Sequence, residues 1–316
     1  MALQNTTTVT DFILLGFPLS PELKMLLFTL VLVSYSVTLV ANMLIITTVQ
    51  MNAKLQIPMY IFLTHFSLME IGYTTVIIPK MLNGLLVENE TISRNGCLTQ
   101  FYFIFFSGSI ENVLLAFMGY DRYLAICIPL RYPSIMTNSA CCWLCIGSWI
   151  AGCLIPLMPT ICVSNLVICN DRRIDHFFCD FGPLVKLSCS DTTMAVRIFF
   201  AQAWILILSC FIVIMISYIF IVSTILKIPS IRGRQKGFST CASHFTVVSI
   251  FYGTIIFTYV RPSAGNTSYM DKTISVFYAV VTPLLNPIIY SLRNESVKVA
   301  MQNTAKNLLQ YDIKDK

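Results

Sequence analysis

Charged residues are scarce in this sequence. Asp, Glu, Lys and Arg make up 11% of its 316 residues, whereas hydrophobic residues make up 56%, and the mean hydropathy is +0.74. An ordinary soluble domain carries about 25% charged residues. The scarcity of charge therefore excludes that class and predicts a protein that crosses the membrane several times, with membrane lipid as a direct partner.

Basic runs interleaved with aromatic residues are also missing, and the net charge of +6 is spread along the chain. Nucleic acid is therefore not an expected partner. The sequence contains no G-x-S-x-G, no H-E-x-x-H and no glycine-rich phosphate loop followed by lysine. We therefore expect neither an enzyme nor a cofactor.

The amino terminus lacks the pattern of a cleavable signal peptide, but Asn5-Thr6-Thr7 fits a glycosylation sequon, so Asn5 is an expected glycan site.

Seven apolar stretches are long enough to span a membrane. They cover residues 23–49, 58–86, 97–128, 140–163, 195–228, 238–261 and 273–292. With the amino terminus outside, more of the 21 Lys and Arg residues face the cytoplasm than the exterior, which is the usual bias. We expect one domain of residues 1–316, with an extracellular segment 1–22, a helix bundle 23–292 and a cytoplasmic tail 293–316.

Four of the twelve cysteines fall on the expected outer side, namely Cys97, Cys169, Cys179 and Cys189. They allow three pairings, and the sequence alone does not choose among them. Two disulfides would clamp the long loop 164–194 as a lid. A weaker alternative is a metal site that uses His176 and Cys179, but no tight cluster of Cys and His completes it, and we expect no metal.

The third span has a helical face with a gap. Phe101, Ile104 or Phe105, Gly108 and Asn112 recur at steps of three and four residues. Gly108 leaves room for a small molecule. A second stripe runs along the sixth span, and only its outer members are candidates for a pocket. The stripe consists of His244, Val248, Tyr252, Ile255 and Tyr259.

Two glutamates lie inside spans, Glu70 in the second and Glu111 in the third. Because a carboxylate facing lipid is costly, both should face the bundle interior. The expected neighbours are Asn42, Asn112, Ser67 and Asn286. A functional role and a simple packing role remain equally open for this pair.

Arg122 follows the apolar part of the third span and always carries its charge. It needs acceptors such as Asp121 or a tyrosine hydroxyl, although an arginine at this depth can also simply reach the membrane surface.

After Tyr290, residues 294–309 place apolar side chains opposite Lys298 and Lys306. This pattern predicts a short amphipathic helix on the inner membrane face.

Four sequence blocks now carry a family resemblance. LQIPMYIFL (55–63), MGYDRYLAIC (118–127), KGFSTCASH (236–244) and PLLNPIIYSLRN (283–294) resemble the signature blocks of vertebrate odorant receptors, within the rhodopsin-like G-protein-coupled receptors. HFFCD (176–180) and LSC (187–189) resemble the tetrapod-type class in particular. Departures are Gln56 in place of histidine, Gly119 and Gly237 in place of alanines, and Glu70 in place of aspartate.

The resemblance implies an all-α membrane protein: a seven-transmembrane helix bundle with a disulfide-clamped second extracellular loop and a short amphipathic carboxyl-terminal helix. It implies the disulfides Cys97 to Cys179 and Cys169 to Cys189. It also implies a polar core of Glu70, Glu111 and Asn286, in which the longer side chain of Glu70 puts a cation-binding role in doubt.

The ligand-binding residues that the resemblance implies lie in the outer half of four spans. They are Phe101, Ile104, Phe105, Gly108, Ser109, Asn112, Gln202, Leu206, Tyr252, Ile255, Tyr259, Val276 and Ala279. Ile104 stands where the amine receptors of this superfamily carry an aspartate. We therefore expect a small neutral odorant, held by apolar contacts and one hydrogen bond.

The resemblance also implies an activation switch. Arg122 would be held near Asp121 and His244 at rest, and would move toward Tyr218 and Tyr290 as the sixth span swings outward. The expected partner is a stimulatory olfactory-type G protein that raises cyclic AMP, and the expected location is the plasma membrane of olfactory neuron cilia. The alternative is a small-solute transporter or channel, but no internal repeat supports it.

Overall fold

The computed structural model describes residues 10–169, 171–259, 268–293 and 299–300. Asn5 and nearly all of the expected tail helix lie outside these residues. The helices are α1 (Pro21–Met51), α2 (Pro58–Leu86), α3 (Arg94–Cys127), α4 (Tyr132–Ile135), α5 (Asn138–Leu154), α6 (Leu157–Ser164), α7 (Phe181–Lys186), α8 (Thr193–Leu226), α9 (Ile231–Tyr259), α10 (Ser268–Val276) and α11 (Thr282–Arg293), with a 3₁₀ turn at Ala53–Leu55.

The predicted helix bundle is confirmed. Within the described residues, six helical segments are long and apolar enough to cross a membrane: α1, α2, α3, α5 with α6, α8, and Met270–Tyr290 across α10 and α11. The remaining span is α9, whose apolar part is the shorter Cys241–Ile255. Arg232, Arg234 and Lys236 occupy its first turns, which explains why its apolar part begins late.

Prolines and hydroxyl caps fix the helix boundaries. Pro21 and Pro58 begin α1 and α2, where the missing N–H costs nothing. The hydroxyl of Ser93 accepts the N–H of Gly96 at 3.1 Å at the start of α3. In the fourth span, Pro156 separates α5 from α6. Its ring removes a backbone donor and bends the span at the level of the ligand cavity described below.

The seventh span contains a π-helical turn, Phe277–Val281, between α10 and α11. The turn closes with the N–H of Thr282 on the carbonyl of Phe277. Pro283 follows directly and lacks the N–H that a regular helix would use, which favours a shifted hydrogen-bond pattern here. A π-helical turn contains one residue more than an α-helical turn. It therefore rotates the outer half of this span relative to its inner half.

Helix α3 lies at the centre of the bundle and packs against α2, α5 and α8. Ile110, Leu114 and Leu115 on α3 are completely buried. Helix α5 approaches closely because Gly152 has no side chain. A Cβ at this position would lie 2.4 Å from Ile110 Cγ1 and 3.2 Å from the carbonyl oxygen of Phe106.

Gly152→Val should therefore destabilise the protein by about 1–3 kcal/mol, since the added methyl groups overfill a packed contact. Gly147→Val is the matched control because it lies on the same helix and a Cβ there meets nothing within 4 Å. The thermal midpoint of detergent-solubilised protein should fall for Gly152→Val and change little for Gly147→Val. Equal midpoints for the two variants would contradict this packing.

A lid of residues 165–169 and 171–192 covers one end of the bundle, and a small sheet holds it in place. Strand β1 (Asp11–Leu14) lies in the middle of this sheet, antiparallel to β2 (Glu90–Ser93) and parallel to β3 (Arg173–Ile174) in the lid. These strands were not predicted from the sequence. Two disulfides add to the sheet. They are Cys97–Cys179, with a Cα–Cα distance of 5.5 Å, and Cys169–Cys189, with 6.0 Å.

Candidate ligand-binding site

A cavity of about 170 Å³ lies beneath the lid, between α3, α8, α9 and α10. Phe178 and Asp180 of the lid form part of its wall, as do Pro156 and Pro159 at the bend of the fourth span. Pockets for drug-sized ligands typically enclose about 300–1,000 Å³. This cavity suits a smaller molecule.

Eight of the residues expected to bind ligand line this cavity. They are Ile104, Phe105, Gly108, Ser109, Asn112, Gln202, Leu206 and Ile255. The gap at Gly108 is real, because the nearest side-chain atom to a Cβ there would be the Tyr278 hydroxyl at 3.8 Å. The structure thus brings together the expected faces of α3, α8 and α9.

Four expected residues do not line the cavity, and the side chain of Tyr259 lies outside the described part of the chain. Phe101 is fully buried against Phe105, with ring centroids 4.7 Å apart. Tyr252 lies behind the wall, where its hydroxyl donates to Asn112 Oδ1 at 3.4 Å. Val276 and Ala279 are also outside the lining, since Ile274, Ser275 and Tyr278 face the cavity instead.

The lid residues of this wall were not predicted from the sequence. Phe178 and Asp180 flank Cys179, which the disulfide fixes to Cys97 at the top of α3. The sequence did offer a signal for them. Because Cys179 was expected to be bonded to the start of α3, the residues on either side of Cys179 could be expected to cover a cavity formed by that helix. Phe199 was missed as well. It stacks on Phe181 of the lid at a centroid distance of 3.8 Å and closes the α8 side.

The polar core lies below the cavity. Asn286 donates a hydrogen bond from Nδ2 to Glu70, and Tyr278 donates to Glu111 Oε2 at 3.3 Å. Both glutamates are buried. Two expected neighbours bond elsewhere, because the amide nitrogens of Asn42 and Asn112 donate to carbonyl oxygens of their own helices. Tyr278 lines the cavity and bonds Glu111, so it connects cavity and core.

At the opposite end of the bundle, Arg122 forms a buried ion pair with Asp121, its neighbour in the chain. Arg122 Nε lies 3.1 Å from Asp121 Oδ2, and the Tyr132 hydroxyl donates to Asp121 Oδ1 at 2.8 Å. Asp121 is fully buried and Arg122 is 8% exposed. The guanidinium is therefore held inward by a carboxylate that is itself fixed by a third group.

His244 is bonded to Tyr218 and to the backbone of α3, and Arg122 is not among its hydrogen-bond partners in the described chain. His244 Nε2 lies 3.0 Å from the carbonyl oxygen of Leu115, and Nδ1 lies 2.7 Å from the Tyr218 hydroxyl. A carbonyl oxygen can only accept, so Nε2 carries the proton and Nδ1 accepts from Tyr218. This chain of bonds joins α8, α9 and α3.

Tyr290, the other residue expected in the switch, is buried near the same end. Its hydroxyl has no hydrogen-bond partner among the described residues. An unpaired buried hydroxyl costs roughly 1–3 kcal/mol relative to a bonded one. Tyr290 is therefore ready to accept a new partner.

A second buried cation lies at the lid end. Lys272 on α10 is 4% exposed, donates to the carbonyl oxygen of Gly16 at 2.7 Å and forms an ion pair with Asp175 of the lid. Gly16 has a φ of +56°, a conformation that favours glycine. The amino-terminal segment, the lid and α10 meet at this one ammonium group.

His176 lies beside this contact and joins the lid to the cavity wall. The N–H of Phe178 donates to His176 Nδ1 at 3.4 Å, which leaves Nε2 to donate to Ser275 Oγ at 3.2 Å. Burial, together with the positive charge of Lys272, lowers the pKa of His176 to about 3. Because Cys179 is oxidised and both nitrogens of His176 are bonded, neither residue is available as a metal ligand.

A family model described as olfactory receptor matches residues 30–308 of this chain. The chain belongs to the olfactory receptor family. Olfactory receptor 6B9 of Mus musculus is 47% identical over 302 residues, which are 96% of either chain. Olfactory receptor 10A7 of Homo sapiens is 47% identical over 304 residues, again 96% of either chain. Mouse olfactory receptor 5P76 is 48% identical over 305 residues, 96% of this chain and 97% of its own.

Membership of the olfactory receptor family establishes an odorant receptor that is not an enzyme. It is a multi-pass membrane protein. Family membership also excludes the alternative of a small-solute transporter or channel, which the two membrane glutamates had left open.

Proposed function

We propose that this olfactory receptor binds a small, neutral volatile compound in the cavity beneath the lid. It would then activate a stimulatory olfactory-type G protein, which raises cyclic AMP. The observation that carries the proposal is the position of Tyr278, whose side chain lines the cavity and whose hydroxyl bonds Glu111 in the polar core. A ligand that displaces Tyr278 necessarily disturbs the core.

The lining supports a neutral ligand. Most of the wall is aliphatic or aromatic, and α3 carries Ile104 in place of a carboxylate that could hold an ammonium group. The carboxyl group of Asp180 in the lid already accepts the N–H of Phe181. Among the residues expected from the sequence, those of α3, α8 and α9 that line the cavity are the proposed ligand contacts. We add Phe178, Phe199 and Tyr278 to this set.

Coupling would proceed through α9. Outward movement of this helix separates His244 from Leu115 of α3 and from Tyr218 of α8, and breaks both bonds of its imidazole. The hydroxyl oxygens of Tyr218 and Tyr290 are then both available to accept hydrogen bonds from the guanidinium of Arg122. A ligand drives this change only by binding the moved arrangement more tightly than the resting one.

For the topology we propose an extracellular segment 1–22 with a glycan on Asn5, a bundle 23–292 and a cytoplasmic tail 293–316, all within a single receptor domain. The receptor would lie in the plasma membrane of olfactory neuron cilia. The amphipathic segment 294–309 would rest on the inner leaflet beside the G-protein site.

Asn5→Gln should remove a glycosidase-sensitive mass shift, because only a lumenal sequon receives a glycan. Asn294, in the sequon Asn294-Glu295-Ser296, should stay unmodified, and Asn294→Gln serves as the control that leaves the shift unchanged. Gel mobility with and without glycosidase reads out both variants. A glycan on Asn294 would contradict the proposed orientation.

A cyclic-AMP reporter screen tests the proposed function. Cells that express the full chain at a verified surface level are exposed to a broad panel of volatile compounds, and untransfected cells serve as the control. We expect concentration-dependent signals from a subset of neutral compounds. If the best agonists were amines, the neutral-ligand proposal would fail, and if no compound gave a signal, coupling to this G protein would fail.

A further inference from the structure

The cavity is lined by several polar groups, and three of its hydroxyl donors are already used. The hydroxyls of Ser109 and Thr254 donate to the carbonyl oxygens of Phe105 at 2.8 Å and of Ile250 at 2.7 Å. The Tyr278 hydroxyl donates to Glu111. A hydroxyl has one proton, so these three groups offer a ligand only lone pairs.

The carboxyl group of Asp180 is the strongest acceptor on the wall. Its Oδ1 accepts the N–H of Phe181 at 2.8 Å, which leaves lone pairs on Oδ2. No Lys, Arg or His lines the cavity in the part of the chain that the structure describes. Burial raises the pKa of Asp180, as does the nearby Asp271, while the bond from Phe181 opposes the rise. A ligand that donates a hydrogen bond stabilises the ionised carboxylate.

Gln202 on α8 is the second acceptor. It lines the cavity, and its Oε1 is buried without a hydrogen-bond partner among the described residues. A buried amide oxygen without a donor is an unfavourable arrangement that a ligand can relieve. The side chain can also turn its amide so that the oxygen faces the cavity.

The two acceptors both line the cavity, Asp180 from the lid and Gln202 from α8. Phe199 is stacked on Phe181, which directly follows Asp180, and Gln202 follows Phe199 by three residues on α8, hence on the same helical face. We call Asp180 and Gln202 the acceptor corner. It lies where the lid meets α8, since Phe181 of the lid stacks on Phe199 of α8.

We infer that the odorant of this receptor carries a hydroxyl group, as an alcohol or phenol, which donates to the acceptor corner while the carbon skeleton fills the apolar cavity. This inference rests on the proposed ligand site. A ketone, ester or ether of the same shape would bring only further acceptors. An ammonium group is disfavoured because the buried cation Lys272 lies three residues before Ser275 of the wall, and because one partly satisfied carboxyl does not offset its desolvation.

Matched sets of compounds test the inference. Each set shares one carbon skeleton that ends as a primary alcohol, an aldehyde, a methyl ether or an amine, and the sets differ in skeleton length. Binding is read as protection of the detergent-solubilised full-length receptor against thermal unfolding, which does not require a G protein. The alcohol should bind about tenfold more tightly than its ether or aldehyde, a factor that corresponds to about 1.4 kcal/mol.

Three variants locate the contact. Asp180→Asn keeps the size of the side chain and caps α7 as well as aspartate does, and it should cut the advantage of the alcohol over the aldehyde severalfold. Gln202→Leu should weaken binding of the alcohol and leave that of the ether unchanged. Leu206→Ala, on the same helix, is the control that should weaken alcohol and ether alike.

The inference is overturned if the ether or aldehyde binds as tightly as its alcohol, if the amine binds more tightly, or if no alcohol protects the receptor. It is also overturned if both corner variants keep the full preference for the alcohol. Protection by alcohols without any cyclic-AMP signal would support the acceptor corner and would contradict only the proposed coupling.

Discussion

Arg122→Ala should abolish odorant-stimulated cyclic AMP while odorant binding persists. The guanidinium is the only group proposed to exchange from Asp121 to the hydroxyls of Tyr218 and Tyr290, and alanine has no donor to offer them. Surface level should fall somewhat, because among the described residues Asp121 keeps only the bond from Tyr132 once its ion pair is removed. Signals are therefore compared in cells sorted for equal surface receptor.

Two further variants make the result specific. Arg122→Lys should recover part of the signal, because an ammonium group restores the charge without the planar fork of donors. Arg131→Ala, which removes an exposed arginine in the turn after α3, should signal normally. Full efficacy of Arg122→Ala at equal surface level would show that Arg122 is not the switch.

Cys179→Ser should eliminate surface expression, and with it the odorant response. The Cys97–Cys179 disulfide closes a sequence separation of 82 residues, which in the loop-entropy description is worth about 4.5 kcal/mol. Its loss also releases Phe178 and Asp180 from the top of the cavity. Flow cytometry of an extracellular epitope measures the surface level, and Cys97→Ser should give the same result.

The second disulfide offers a graded comparison. Cys169–Cys189 closes a separation of 20 residues, worth about 3.3 kcal/mol in the same description. It lies within the lid and does not connect the lid to α3. Cys189→Ser should therefore leave more receptor at the surface than Cys179→Ser does. Normal expression and response of Cys179→Ser would contradict a stabilising role of the disulfide to α3.

The spans and the α3 face of the cavity follow from the sequence because they depend on local periodicity. Helix α3 is regular from Arg94 to Cys127, so a step of three or four residues keeps Ile104, Gly108 and Asn112 on one side. Val276 and Ala279, which the resemblance implied, do not line the cavity. The π-helical turn at Phe277–Val281 breaks the 3.6-residue period. Apart from Pro283, no residue pattern in the sequence predicts this turn.

The lid and its sheet depend on contacts between distant parts of the chain, which periodicity does not reveal. The segment Asp11–Leu14 is too short to stand out as a strand, and its partners begin at Glu90 and Arg173. The resting partner of His244 was likewise not predictable. Whether its ring reaches Arg122 or Tyr218 depends on the relative rotation of α8 and α9.

The central position of β1 sets an order for biosynthesis. The ribosome makes this strand first, yet its last partner, β3, follows roughly 160 residues later. At about 5–20 residues per second, translation alone leaves the edge of β1 unpaired for about 10–30 s. During that time Phe12 and Leu14, both buried in the finished protein, are exposed to chaperones and to neighbouring nascent chains. We therefore expect the efficiency of receptor maturation in a cell line to depend on how that cell protects one short amino-terminal strand.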